Sequence, residues 1–147
     1  MIRQNRVVID MDVIRSNYRV LSSALPQNTE VMAVIKANAY GHGLIETAMA
    51  LADDGADRFA VALAEEGIAL RLAGIAGEIL VLGASTPRAV QDCIRYHLTQ
   101  TVFTPEMVMC IEQAATAENV EALIHIKLAL TFRLTEEEVR MLEEISR

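Results

Sequence analysis

The sequence predicts an α/β fold of parallel strand–helix units, amounting to about half of a TIM-type β/α barrel, on three observations. Short apolar or β-branched runs start 21 to 27 residues apart, the spacing of strand–helix units. Between them lie segments with apolar residues three and four apart, the helical period. Alanine, valine, leucine and isoleucine dominate while aromatics make up only 4% of residues, a balance suited to helices packed on a buried parallel sheet.

The five runs are Val31 to Ile35, Arg58 to Ala62, Ile79 to Leu82, Thr101 to Phe103 and Ala122 to Lys127. The helical patterns between them are Leu44 to Asp53, Ala64 to Ala73, Pro87 to Tyr96 and Pro105 to Ala115. Thr86-Pro87 and Thr104-Pro105 each read as an N-cap followed by proline at the first helical position. Gly55 and Gly74 stand where helices should stop. Ahead of these units, Arg6 to Asp10 reads as a strand and Asp12 to Ala24 as a helix ending before Pro26. Thr135 to Ile145 reads as a closing helix, with a capping-box start at Thr135 and Glu138. Alternation of this kind makes either an open doubly wound sheet or part of a barrel. The open sheet is disfavoured, because no glycine-rich turn follows the first strand directly. A whole eight-stranded barrel needs about 200 residues or more, and the chain has 147.

Composition excludes several classes. A hydrophobic content of 52% supports a folded core rather than a disordered chain. The net charge of -7, without any basic tract, argues against nucleic-acid binding. Cys93 and Cys110 lack metal-ligand spacing and read as free, buried thiols in a reducing cytoplasm. There is no secretory signal pattern and no apolar run long enough to span a bilayer. His42, His97 and His125 have no metal-binding spacing, and no metal is expected.

Lys36 carries the strongest chemical signal. It ends the apolar run from Val31 and opens the loop Ala37-Asn38-Ala39-Tyr40-Gly41-His42-Gly43. Only Lys36 and Lys127 are lysines, whereas eleven residues are arginine. Arginine neither gives up its proton nor forms a Schiff base, and a partly desolvated lysine does both. The plain alternative is a strand-end lysine reaching solvent. Gly41 and Gly43 suit a turn, or amides presented to an anion at a helix start. Glu65 and Glu66, like Glu136 to Glu138, suit the positive end of a helix dipole and do not look like an acid–base pair. Met107 and Met109 read as packing residues.

The segment Val34-Ile35-Lys36-Ala37-Asn38-Ala39-Tyr40-Gly41-His42-Gly43 resembles the signature around the cofactor lysine of alanine racemases, which use pyridoxal phosphate. Supporting blocks follow in family order: Val8 to Asp12 with Asn17, Phe59 to Ala62 with Glu65-Glu66-Gly67, and Leu70 to Ile75 through Ile79 to Gly83. The resemblance runs from residue 6 to about 127, and a ten-residue match with ordered flanks is far more specific than a lone glycine motif. It implies that Lys36 binds pyridoxal 5'-phosphate as a Schiff base and then serves as one of two bases exchanging the α-proton of alanine. It implies a phenolic hydrogen bond from Tyr40 to the cofactor phosphate, the alternative being an aromatic packed on the loop. It also implies substrate-site support from Lys127, whose family counterpart lies near the substrate-binding arginine and is carbamylated in some members. A structural, paired Lys127 is the alternative. His125 shares a strand face with Lys127 by the period of two.

The pattern breaks after Lys127. Leu128 to Leu134 does not match the family, and Arg133 is wrongly spaced for the arginine that holds the substrate carboxylate. The family's remaining barrel strands and its C-terminal β domain, with the tyrosine that acts across a homodimer, have no counterpart here. Residues 1–147 are therefore expected to be a partial N-terminal barrel domain, with little racemase activity on their own. The expected activity of the parent is cytoplasmic interconversion of L- and D-alanine, supplying D-alanine for cell-wall peptidoglycan. The competing expectations are a catalytically dead half-barrel that binds or assembles, and a related pyridoxal phosphate racemase acting on serine or another amino acid.

Overall fold

A computed structural model describes residues 7–127 together with Thr135 and Arg140. The expected closing helix Thr135 to Ile145 and the segment Leu128 to Leu134, including Arg133, lie outside the described residues except for Thr135 and Arg140 themselves.

Five parallel strands form one sheet in the order β1-β2-β3-β4-β5. They are β1 (Ala33–Val34), β2 (Arg58–Val61), β3 (Glu78–Val81), β4 (Thr99–Val102) and β5 (Ile124–Ile126). Each strand pairs with the next along the chain, with Val34 beside Ala60, Ala60 beside Leu80, Leu80 beside Thr99 and Thr101 beside His125. This sequential order decides between the two expected architectures. A doubly wound sheet reverses its strand order at a switch point, whereas right-handed crossovers between successive neighbours carry every helix to the same face, as in a barrel.

That face is the core. Phe59, Val61, Ile79 and Val81 project from alternate positions of β2 and β3 into one apolar cluster with Leu51, Leu70 and Cys93. Val102, Ile124 and Ile126 meet Val90, Ile94, Val108 and Ile111 in a second. The helices that supply these partners are α3 (Leu44–Asp53), α4 (Ala64–Leu72), α5 (Pro87–Arg95) and α6 (Pro105–Glu118). Thr86 and Thr104 cap α5 and α6 by accepting from Ala89 N and Met107 N, each followed by proline at the first turn. Gly55 and Gly74 follow α3 and α4 with φ of +90 and +93°, a conformation that closes a helix at little cost only in glycine.

The first helix, α1 (Met11–Ser23), packs on α3. Asp54, just past α3, accepts from both Arg15 and Arg19 at 2.8 Å. The strand expected over Arg6 to Asp10 does not form across Val7 to Asp10. Asp10 instead caps α1, its carboxylate accepting from Asp12 N at 3.0 Å and Val13 N at 3.3 Å, which ends the extended run. No helix among the described residues is long and apolar enough to cross a membrane.

Candidate active site

Lys36 stands immediately beyond the C-terminal end of β1. Ile35 N donates to Ala60 O at 2.9 Å, so the chain stays in the ladder up to the preceding residue. Ile35 is buried in the core, while Lys36 is half-buried. The expected loop after it is in fact α2 (Lys36–Tyr40), a single helical turn of inverted hand. Ala37, Asn38 and Ala39 have φ/ψ of 53/52°, 56/44° and 51/46°, and Tyr40 has φ of 55°.

Four consecutive non-glycine residues in the left-handed region cost about 1–2 kcal/mol each. Such a segment persists only where its neighbours over-determine it. Here Ala39 is 2% exposed and its amide donates to Ile35 O at 2.8 Å. Asn38 O accepts from Gly41 N and Gly43 N, both at 3.0 Å. The Asn38 side chain accepts from Leu44 N, the first amide of α3, at 2.9 Å. Asn38 N donates to Glu66 Oε1 at 3.3 Å. The other oxygen of Glu66 accepts from Ala62 N at 2.9 Å and Leu63 N at 3.3 Å, at the end of β2 and the start of α4. The sequence offers Glu66 a helix-dipole role and a place in a family-like block, and does not show this bridge between two loops. Its one legible trace was the pairing of an Asn, tolerant of left-handed backbone, with a Glu three residues into a helix.

Tyr40 ends the inverted turn and is 60% exposed. His42 is exposed on the same loop, its amide donating to Ala39 O at 3.0 Å. Lys127 directly follows β5, where Ile35 follows β1. Its amide donates to Val102 O at 2.9 Å, and its ammonium lies 5.5 Å from the centre of the Phe103 ring, within cation–π range. His125 faces away from the helices, since its neighbours Ile124 and Ile126 pack into the second cluster. Lys36 and Tyr40 therefore share one edge of the sheet, and Lys127 and His125 the other, all at the C-terminal ends of strands. Four strand spacings separate the edges, about 19 Å along the sheet.

The opposite end of the sheet has a more obvious hollow. A cleft of about 390 Å³ is lined by Arg58, Arg71, Gly77, Glu78 and His97 among others. Its cations are already engaged. Arg71 donates to the carbonyls of Ile75, Gly77, Tyr96 and His97 at 2.6 to 3.1 Å, and Arg58 pairs with Glu30 and Glu78. In β/α barrels that end carries stability and the C-terminal end carries chemistry, so the loop of Lys36 is the candidate site.

Comparison with known proteins identifies the family of the fold. Residues 9–144 match the model of the family described as "Alanine racemase, N-terminal domain". The alanine racemase of Geobacillus kaustophilus is 41% identical over 128 residues, which are 87% of this chain and 33% of that protein. A solved alanine racemase of Clostridium difficile superposes with a TM-score of 0.88 at 35% identity, over 95% of this chain and 38% of the other. A histidine racemase from Leuconostoc mesenteroides superposes with a TM-score of 0.79 at 26% identity, over 92% of this chain and 38% of the other. The chain spans about a third of the length of the curated relatives it matches.

Proposed function

The chain belongs to the alanine racemase N-terminal domain family, and from that membership we propose that it is the lysine-bearing part of the barrel of a pyridoxal phosphate-dependent alanine racemase. The observation that carries the proposal is the position of Lys36, half-buried past a parallel strand and leading directly into an inverted turn that ends in an exposed Tyr40. These residues fit the cofactor. Lys36 offers a primary amine at the mouth of the loop, the group that condenses with an aldehyde, and the exposed Tyr40 phenol is free to meet a phosphate.

Lys36 would hold the cofactor through Nζ, and Tyr40 would donate its phenolic hydrogen to the phosphate. When bound, pyridoxal phosphate supplies an aldehyde for the amine and a ring that takes up the electron pair left at an α-carbon. Lys36, once released, would take or return the α-proton as a general base. Lys127 would support the substrate site from the opposite edge, its charge held against Phe103. The same reading places a small amino acid, alanine, as substrate of a cytoplasmic homodimer, with D-alanine passing to cell-wall peptidoglycan. The names of the relatives support alanine over other substrates, while the histidine racemase neighbour shows why substrate needs its own assay.

The test is to add pyridoxal phosphate, reduce with borohydride and locate the adduct by peptide mass. The expected result is a single adduct on Lys36 that Lys36→Ala abolishes, with D/L-alanine interconversion assayed alongside. An adduct retained in Lys36→Ala, or none in the unmodified chain, overturns the reading and leaves an assembly module standing.

A further inference from the structure

We infer that Glu66 is a positioning residue for Lys36, its two carboxylate oxygens tying the inverted turn after β1 to the loop after β2. This inference rests on the reading of Lys36 as the cofactor lysine. Glu66 hydrogen-bonds to neither Lys36 nor Tyr40. It acts through Asn38, two residues beyond Lys36, whose amide it accepts at 3.3 Å.

The geometry requires a carboxylate. Asn38 N lies at the start of the turn, where the turn itself offers no acceptor, as at any helix start. One Glu66 oxygen serves that amide, and the other serves Ala62 N and Leu63 N. Leu63, which precedes α4, has no side-chain oxygen to cap the helix, so Glu66 makes only the acidic half of a capping box. Glutamine offers one acceptor oxygen and one donor nitrogen. It can satisfy the two amides of the β2 loop or the amide of Asn38, and the pair outweighs the single bond. Glu66→Gln therefore sets a donor against Asn38 N and frees the inverted turn, while the start of α4 stays capped.

The turn is the segment with most to gain by relaxing, because Ala37 to Tyr40 all hold positive φ without glycine. Relaxation would swing Lys36 and Tyr40 away from each other's register on the loop. Glu65 is the internal control. It lies one position earlier on the same helix turn, is exposed, and carries the same charge toward the same helix start.

The experiment compares the full chain with Glu66→Gln and Glu65→Gln, using pyridoxal phosphate as probe. The expected results for Glu66→Gln are amide exchange at Asn38 faster by about tenfold or more and cofactor affinity weaker by a similar factor, the scale of one lost charge-assisted hydrogen bond. The melting temperature should stay within a few degrees, and Glu65→Gln should change none of these. Equal effects from the two variants reduce the role to charge and overturn the inference. So does cofactor affinity within twofold of the unmodified chain. If the unmodified chain takes no cofactor, the reading of Lys36 fails separately. The cofactor-free measurement then judges the clamp, and unchanged Asn38 exchange and backbone couplings through Ala37 to Tyr40 overturn it.

Discussion

Arg71→Met should lower stability substantially and leave the cofactor binding proposed for Lys36 untouched. The arginine leaves α4 at the N-terminal ends of the strands and gathers the carbonyls of Ile75, Gly77, Tyr96 and His97. It thereby joins the turn before β3 to the turn before β4. The contacts to Ile75, Gly77 and Tyr96 are part-buried, and that to His97 is exposed. Charge-assisted bonds reach about 1.5–3 kcal/mol each, but carbonyls freed at a half-open cleft regain water, so about 1 kcal/mol for each of the three shielded contacts is a fair net value. Methionine keeps the packing of the stem. The expected loss is about 3 kcal/mol, which lowers the melting temperature of a domain this size by roughly 6–12 °C. Arg71→Lys should recover only part of it, since one ammonium cannot span four carbonyls in a fork. Thermal unfolding by circular dichroism and cofactor titration well below the melting point make the assay. A shift under about 2 °C would refute the energetic argument. A cofactor affinity that fell severalfold in a still-folded Arg71→Met would refute the separation of the two ends.

Two further outcomes follow from charge and burial. Asp54 is held well below the ordinary carboxylate range, first by its hydrogen bond from Arg15 and then by that from Arg19. Its folded-state pKa lies below its unfolded value of about 3.9, so the unfolded chain binds the proton more readily. The stabilisation is complete above that pH and is lost as pH falls further, and Asp54→Asn should flatten the acid limb of a stability–pH curve measured by urea unfolding. An unchanged limb would show that the pairs do not hold α1 to α3. Cys93 is fully buried, and burial pushes its thiol up to about 11 against a smaller opposing effect from Ser85. Iodoacetamide at pH 8 should therefore spare Cys93 in the folded chain, label the half-buried Cys110 first, and reach Cys93 only on denaturation; early labelling of Cys93 would contradict the packing.

The sequence revealed what depends on period and punctuation. Pro87 and Pro105 behind their threonines located two helix starts to the residue, because capping is a local contract between an oxygen and an amide two or three positions on. Strand extents were less legible. Val31 and Met32 read as strand but β1 holds only Ala33 and Val34, and β4 begins at Thr99 rather than Thr101. The reason is pairing: Thr99 enters the ladder because Leu80 lies beside it, and a polar Thr99-Gln100 gives no sign of that from composition. Val7 and Val8 look like a strand, but propensity for extension means nothing where Asp10 has taken the next amides for a helix. Lys36 and Tyr40 stand out in the sequence by residue type and motif. The hand of the turn between them does not, since Ala37 and Ala39 carry no mark of left-handed backbone.

That inverted turn explains why the two ends of the sheet are built so differently. A segment that stores several kcal/mol of backbone strain can exist only on a scaffold that does not relax with it. Most of the scaffold's fixed points lie at the far end: Arg71 on four carbonyls, Arg58 between Glu30 and Glu78, and Gly77, where a Cβ would come within 2.1 Å of Asp57 O; on the near side Gly83 lies close against Ala62 O. At the Lys36 end the restraints are fewer and mostly hydrogen bonds to Asn38. The role proposed for Lys36 needs this arrangement. If the chain near Lys36 were held by burial alone, Tyr40 would be packed rather than exposed. If it were held by nothing, the turn would revert to right-handed or extended backbone. Strain balanced by a few directional contacts leaves both side chains available and their spacing fixed, and it locates the most sensitive point of the site at Asn38 and Glu66 rather than in the core.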